Sequence, residues 1–144
     1  MKIYLDNCCF NRPFDDQSQL RIKLETEAKL KIQEEIRDGN LKLAWSYILD
    51  YENMKNPYEE RKGRINRWKD YAVSDIEEMF EVIEKANLIN GKGFNKFDSL
   101  HIACAIISKC DYFLSTDDKI LKQSIILDEI RVIDPIGFIK EVLS

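Results

Sequence analysis

Four short runs rich in β-forming residues punctuate the chain, at Lys2 to Leu5, Leu41 to Ser46, Tyr112 to Ser115 and Ile130 to Ile133. Between them lie longer stretches whose apolar residues recur at helical spacing. Leu20, Leu24, Ala28, Leu30 to Ile32 and Ile36 predict a long helix stopped by Asp38-Gly39-Asn40. Pro57 fits the first turn of a second helix, which runs to Trp68. Ser74-Asp75-Ile76-Glu77 reads as the capped start of a third, with Ile76, Met79, Phe80 and Ile83 facing inward and a break at Gly91 and Gly93. The stretch KFDSLHIACAIISKC predicts the next helix, and Pro135 starts a short terminal one through Phe138, Ile139 and Val142. Strands alternating with helices predict an α/β fold, a mostly parallel central sheet of four to five short strands with helices on both faces. No repeat, linker or low-complexity tract interrupts this pattern, so residues 1–144 read as a single domain.

Composition narrows the class. The chain is long enough for a real hydrophobic core, and its 44% apolar and 33% charged content fits a soluble globular protein. With no apolar run of membrane-spanning length and no signal-peptide pattern, the expectation is a cytoplasmic protein without a membrane partner. Cys8, Cys9, Cys104 and Cys110 show no CxxC spacing and read as reduced thiols. A single His weakens zinc and Ser-His-Asp readings. The net charge of −4 conceals a segregation: Lys55 to Lys69 carries six basic residues against two acids, whereas Asp70 to Glu84 carries six acids and no base. The basic stretch suits an anionic partner, although solvated helix faces would give the same counts.

The acids fall into a pattern of their own. In an open parallel sheet, sites form at the carboxyl ends of strands and at the helix starts beside them. Asp6 follows the first strand, Glu52 lies six residues past Ser46, Asp98 opens the helix FDSLHIACAI, and Asp117 and Asp118 follow the strand YFLS. Four separate segments thus bring carboxylates to one edge of one sheet. Like charges gathered closely stay ionised only if a cation neutralises them. An all-oxygen set of this kind suits Mg²⁺ or Mn²⁺, which bind through a few carboxylates plus substrate phosphate. Such a site activates water for phosphodiester hydrolysis and needs no separate His base. Taken singly, each acid has a structural alternative as a cap or turn former, Asp98 as the N-cap of its helix among them.

The segments IYLDNCCFN, SYILDYENM, FDSLHIACAI and FLSTDDKIL resemble the four motif blocks of PIN-domain ribonucleases, the fold of the VapC-type toxins of toxin–antitoxin pairs. The blocks occur in family order and cover nearly the whole chain. The resemblance implies a PIN-like domain with Asp6, Glu52, Asp98 and Asp118 as the acids around Mg²⁺ or Mn²⁺. It prefers Asp118 to Asp117 because the family's last acid tends to stand two residues after the Thr, and it prefers Glu52 to Asp50. It places Thr116 near the first acid or a metal-bound water. It also implies a homodimer formed through N-terminal helices, and an antitoxin whose C-terminal segment blocks the acidic pocket. One departure from the family pattern is Cys8, where a small polar residue usually stands. Cys8 and Cys9 themselves read as packing residues, since nothing basic adjoins them to make a thiolate. His101 is open between orienting a carboxylate and filling the core, and Arg12 in NRPFDD between a substrate-side loop and the start of the long helix.

The expected substrate is RNA, single-stranded or exposed in loops, with bases stacked on aromatics and phosphates held by Lys and Arg. The stretch KNPYEERKGRINRWKDY has both ingredients, with Arg61, Lys62, Arg64 and Arg67 as the RNA-binding candidates and Tyr58, Trp68 and Tyr71 among them. Trp68 and Ile65 are also spaced to face a core. Two other classes compete with a metal-dependent endoribonuclease. A catalytically silent PIN-fold binding module would have no reason to keep every acid. A phosphoacceptor receiver domain would need an acid pair at the first strand, where Asp6 stands without one. A PIN nuclease outside any toxin pair is the remaining alternative.

Overall fold

The computed structural model describes residues 1–144 throughout. Its sheet comprises β1 (Lys2–Leu5), β2 (Lys42–Ser46), β3 (Ala72–Ile76), β4 (Tyr112–Leu114) and β5 (Arg131–Ile133). Their spatial order is β3-β2-β1-β4-β5, and every neighbouring pair is parallel. Eight helices connect and cover them: α1 (Asn7–Asn11), α2 (Leu20–Arg37), α3 (Tyr47–Met54), α4 (Glu59–Arg67), α5 (Phe80–Asn90), α6 (Lys96–Ile107), α7 (Asp118–Gln123) and α8 (Pro135–Phe138). The α/β architecture with a parallel sheet is the one the pattern predicts. The strand order reverses at β1: β2 and β3 extend the sheet to one side, β4 and β5 to the other. Such a reversal leaves a crevice at the carboxyl ends of the two strands that flank it, here β1 and β4.

A central parallel strand is covered on both faces and so reads as continuously apolar rather than alternating. Ile3, Tyr4 and Leu5 are accordingly all fully buried. Tyr4 stacks on Phe113 of β4, its register partner, at 5.3 Å between ring centroids. On the other side, Trp45 of β2 meets Phe10 of α1 edge-on at 5.3 Å. These rings belong to one apolar cluster of 29 buried residues that spans both faces of the sheet.

Two local expectations are corrected. Ser74-Asp75-Ile76-Glu77 does not start a helix, because Ala72–Ile76 is the edge strand β3, paired with β2. Val73 and Asp75 are exposed while Ala72, Ser74 and Ile76 are half-buried, the period-two alternation of a half-covered edge strand. The Ser-Asp pair imitates a helix cap in sequence, but sheet pairing decides the outcome. The helix begins instead at Phe80, whose side chain is exposed, and turns Val82, Ala86 and Ile89 inward.

In α2 the predicted apolar face is only partly the buried one: Ile32 and Ile36 are inward as expected. Leu20, Leu24 and Leu30 are exposed, and Glu25, Thr26, Lys29, Ile32, Gln33 and Ile36 are buried. The reason is the segment that α2 packs on. Thr26 donates to the Arg12 carbonyl and Arg12 Nε donates to Glu25 at 3.0 Å, so two of the polar groups on this face find partners in the turn after α1. The helix ends as expected, with Gly39 at φ +80° just beyond it.

Candidate active site

Asp6 and Asp117 come just after the ends of β1 and β4, Asp98 lies in the first turn of α6, and Glu52 stands in the later half of α3. Asp6 is the N-cap of α1: its Oδ1 accepts the Asn7 N–H at 2.8 Å while its backbone N–H donates to Leu114 across the crevice. The other oxygen, Oδ2, accepts the Ser115 hydroxyl at 2.9 Å and the Cys8 thiol at 3.4 Å. Cys8 therefore takes up the contact that a small polar residue at this position would make. Ser115, fully buried at the end of β4, supplies the hydroxyl on Asp6, and Thr116 instead donates its backbone N–H to the Cys8 sulfur at 3.3 Å. Sequence reasoning missed Ser115, although its place directly after the strand YFL is the signal that would have found it.

Asp98 lies in the first turn of α6, but it is not the cap. Asn95 holds that position, its side-chain oxygen accepting the Asp98 N–H at 2.8 Å. The Asp98 carboxylate is thus left without any hydrogen bond of its own. Partial burial pushes its pKa up, and the charges of Asp6, Asp117 and Glu52 add to the shift, to about 6. Burial is the larger cause, and the smaller contributions show that Asp98 feels the charges of three other carboxylates.

Glu52 and Asp50 separate cleanly. Asp50 is consumed by structure, accepting from Trp45 Nε1 at 2.8 Å and from Lys69 at 3.0 Å. Glu52 accepts from His101 Nε2 at 2.7 Å, and His101 Nδ1 meets the Tyr4 hydroxyl at 2.6 Å, which in turn meets Ser46 Oγ at 2.6 Å. His101 is fully buried, and the chain Ser46–Tyr4–His101 fixes the ring that holds Glu52. Burial alone would lower the His101 pKa, but the Glu52 hydrogen bond and the charges of Asp6, Glu52 and Asp98 outweigh it and raise the pKa.

The two acids after β4 behave differently. Asp117 is the N-cap of α7, accepting from Lys119 N at 2.8 Å, and its charge is felt by Asp98. Asp118 points away into solvent and forms a bidentate pair with Arg21 at 2.6 and 2.8 Å, which holds its carboxyl below the usual range. Arg21 also contacts Glu25, itself bound by Arg12, so Arg12 belongs to a structural ion-pair cluster at the start of α2.

The basic stretch is largely engaged within the protein. Lys62 pairs with Glu59 and Arg64 with Glu60, each within one turn of α4. Arg61 lies over the Tyr58 ring at 4.6 Å and donates to the Phe14 carbonyl. Arg67 has no ion pair and lines a surface cleft with Arg37, Arg64, Trp68 and Tyr71, which contains no acid. None of the four candidates contacts an acid of the site. Flanking the acids instead are Tyr51 and Phe97, each the chain neighbour of a site carboxylate. They are stacked at 5.8 Å and exposed, with Lys55 Nζ 4.2 Å above the Tyr51 ring. This aromatic pair went unread in the sequence because its two members are 46 residues apart.

The donor set at the crevice is entirely hard oxygen, which fits Mg²⁺ or Mn²⁺ better than a soft metal. The buried Oδ1 of Asn7, adjacent to Asp6, also has no hydrogen-bond partner. No three His, Cys, Asp or Glu side chains lie together closely enough to hold a metal ion between them, so a cation here would rest on fewer side chains and on water.

No family model matches the chain, and no curated protein matches it. Solved structures do. FitAcB from Neisseria gonorrhoeae superposes with a TM-score of 0.59 at 14% identity, covering 92% of this chain and 97% of the other. VapBC-1 from nontypeable Haemophilus influenzae gives 0.58 at 15% identity, with 94% and 98% covered. VapBC2 from Rickettsia felis, bound to a DNA fragment from their promoter, gives 0.55 at 13% identity, with 92% and 97% covered. No helix of the chain is long and apolar enough to cross a membrane. At these identities the likeness is one of architecture: a PIN-like α/β fold shared over nearly the full length of each match.

Proposed function

We propose that the protein is a divalent-metal-dependent endoribonuclease and the toxin component of a toxin–antitoxin pair. The observation that carries this reading is the Asp98 carboxylate. It is unpaired, lies at the reversal of strand order, and is raised to about 6, first by its partial burial and then by the charges of Asp6, Asp117 and Glu52. A fold keeps such repulsion where a cation is to be bound. Asp6, Asp98 and Asp117 would hold Mg²⁺ or Mn²⁺, with Glu52 beside them; Asp118, tied to Arg21, is the less suited fourth acid. When bound, the metal would lower the pKa of an attacking water and offset charge on the phosphate.

The residues of the chain do the rest. Ser115 and Cys8 fix the Asp6 oxygens, and His101, held by Tyr4, orients Glu52. Tyr51 and Phe97 offer a stacking surface for a splayed base, and Lys55 a phosphate contact, which favours single-stranded RNA. Arg67, with Arg37 and Arg64, extends the basic surface, whereas Arg61 and Lys62 act chiefly within the protein. The likeness to VapBC and FitAcB structures supports a protein partner, and a homodimer is proposed on the resemblance of the motif blocks alone. The test is a labelled total RNA pool incubated with the protein, with and without EDTA. New ends that appear only without EDTA support the reading; intact RNA in Mn²⁺ sinks it.

A further inference from the structure

Away from the acids, α1, α2 and α4 enclose a second cavity of about 330 Å³. Its walls are Phe10, Pro13, Phe14, Leu30, Ile65 and Trp68, and its polar lining is Lys29, Gln33 and Arg64. No carboxylate lines it. Lys29 and Gln33 stand four residues apart and so share a face of α2, and both are almost wholly buried, 3% and 2% exposed.

Neither polar group has found an acceptor. The Lys29 ammonium has no hydrogen bond and no ion pair; its nearest stabilisation is the rings of Phe10 and Trp68, at 5.4 and 5.8 Å from their centroids. The Gln33 Nε2 is buried without a partner. The neighbouring Cys9 thiol offers no counter-charge, because burial raises its pKa and keeps it protonated. Burial without a counter-ion pushes the Lys29 pKa down to about 7. Buried donors are ordinarily satisfied, and a buried cation is ordinarily paired. Here the Gln33 nitrogen is buried without a partner and the neighbouring Lys29 amine has no counter-ion, both on one wall of a pocket of ligand size.

We infer that this cavity binds a small carboxylate carried on a flat apolar group, the carboxylate taken by Lys29 and Gln33 and the apolar part packed among Phe10, Phe14 and Trp68. Two donors side by side match the two oxygens of a carboxylate. The aromatic walls favour a ring over a bare inorganic anion. The site shares α1 with the acidic crevice but none of its carboxylates, so it stands independently of the nuclease reading.

The experiment is calorimetric titration of the full chain with benzoate, its neutral isostere benzamide, and inorganic phosphate. Benzoate is expected to saturate one site, with benzamide and phosphate each weaker by at least about tenfold, as expected for a hydrogen bond to a charged group. Lys29→Met is expected to weaken benzoate by a similar factor while melting at or above the wild-type temperature, which separates lost binding from lost folding. Gln33→Leu is expected to weaken it less. Equal binding of benzoate and benzamide, absence of benzoate binding, or undiminished binding by Lys29→Met overturns the inference, and phosphate binding as tight as benzoate overturns the aromatic part of it.

Discussion

Two regions on either side of α1 carry uncompensated charge, and they differ in sign and in the way the fold tolerates it. At the β1/β4 crevice the charge is negative and spread over several carboxylates that feel one another. Between α1, α2 and α4 it is positive but partial, confined to one amine that faces aromatic rings and whose pKa burial lowers to about 7. Elsewhere the chain balances its ions: Arg12 and Arg21 meet Glu25, Arg21 meets Asp118, and Lys69 meets Asp50 and Asp75. The contrast shows where to look for ligands. A charge that is taken out of water and left unpaired costs free energy unless a ligand supplies the balance, and these two places are where the fold does so.

The largest expected effect is at Asp98. Asp98→Asn should lower RNA cleavage by ~100-fold or more, beyond the loss typical of a metal-site supporting residue, while the metal-free protein melts at the same temperature or higher. The pH dependence gives the sign independently. The carboxyl titrates at about 6 in the fold and at about 3.9 when unfolded, so between those values the folded state binds the extra proton. Its contribution to metal-free stability therefore rises as pH falls through 6 and levels off below about 4. Thermal melts across pH 4 to 8 should show that rise in the wild type and not in Asp98→Asn. A large fall in melting temperature on substitution would instead make Asp98 structural.

A sharper and somewhat smaller effect separates the two acids after β4. Asn serves as well as Asp at an N-cap, so Asp117→Asn keeps α7 capped while removing charge from the crevice. Cleavage should fall by ~10-fold or more, whereas Asp118→Asn should leave it near wild type. The reverse order in a single-turnover assay would restore Asp118 as the fourth acid. The smallest effect concerns the surface. Lys55→Glu with Arg67→Glu should flatten the dependence of cleavage on salt by about two counter-ions. An unchanged slope would remove both from the RNA path.

The legibility of these features in the sequence follows the range of the forces that make them. The central strand announced itself because a strand buried on both faces must be apolar throughout, and KIYL is such a run. The carboxylates could be placed at one sheet edge because strand ends and helix starts are local signals. The edge strand β3 was hidden because half-exposure and a Ser-Asp pair look like a capped helix until β2 is present to pair with. Part of the inward face of α2 was misread because two of its buried polar residues, Glu25 and Thr26, are satisfied by the turn containing Arg12, a contact no helical periodicity contains. Asp117 and Asp118 are adjacent and chemically identical, and only the position of Arg21, 97 residues before Asp118, distinguishes them.

By itself, then, the sequence determined the α/β alternation, the parallel sheet and the set of segments that carry acids, since these depend on periodicity and on neighbours in the chain. The tertiary structure alone decided which acids remain unpaired, that Ser115 and His101 hold their neighbours in place, and that Lys29 is buried without a counter-ion. Pairing and desolvation are set by distances between residues far apart in the chain, and those distances exist only once the sheet has closed around its core.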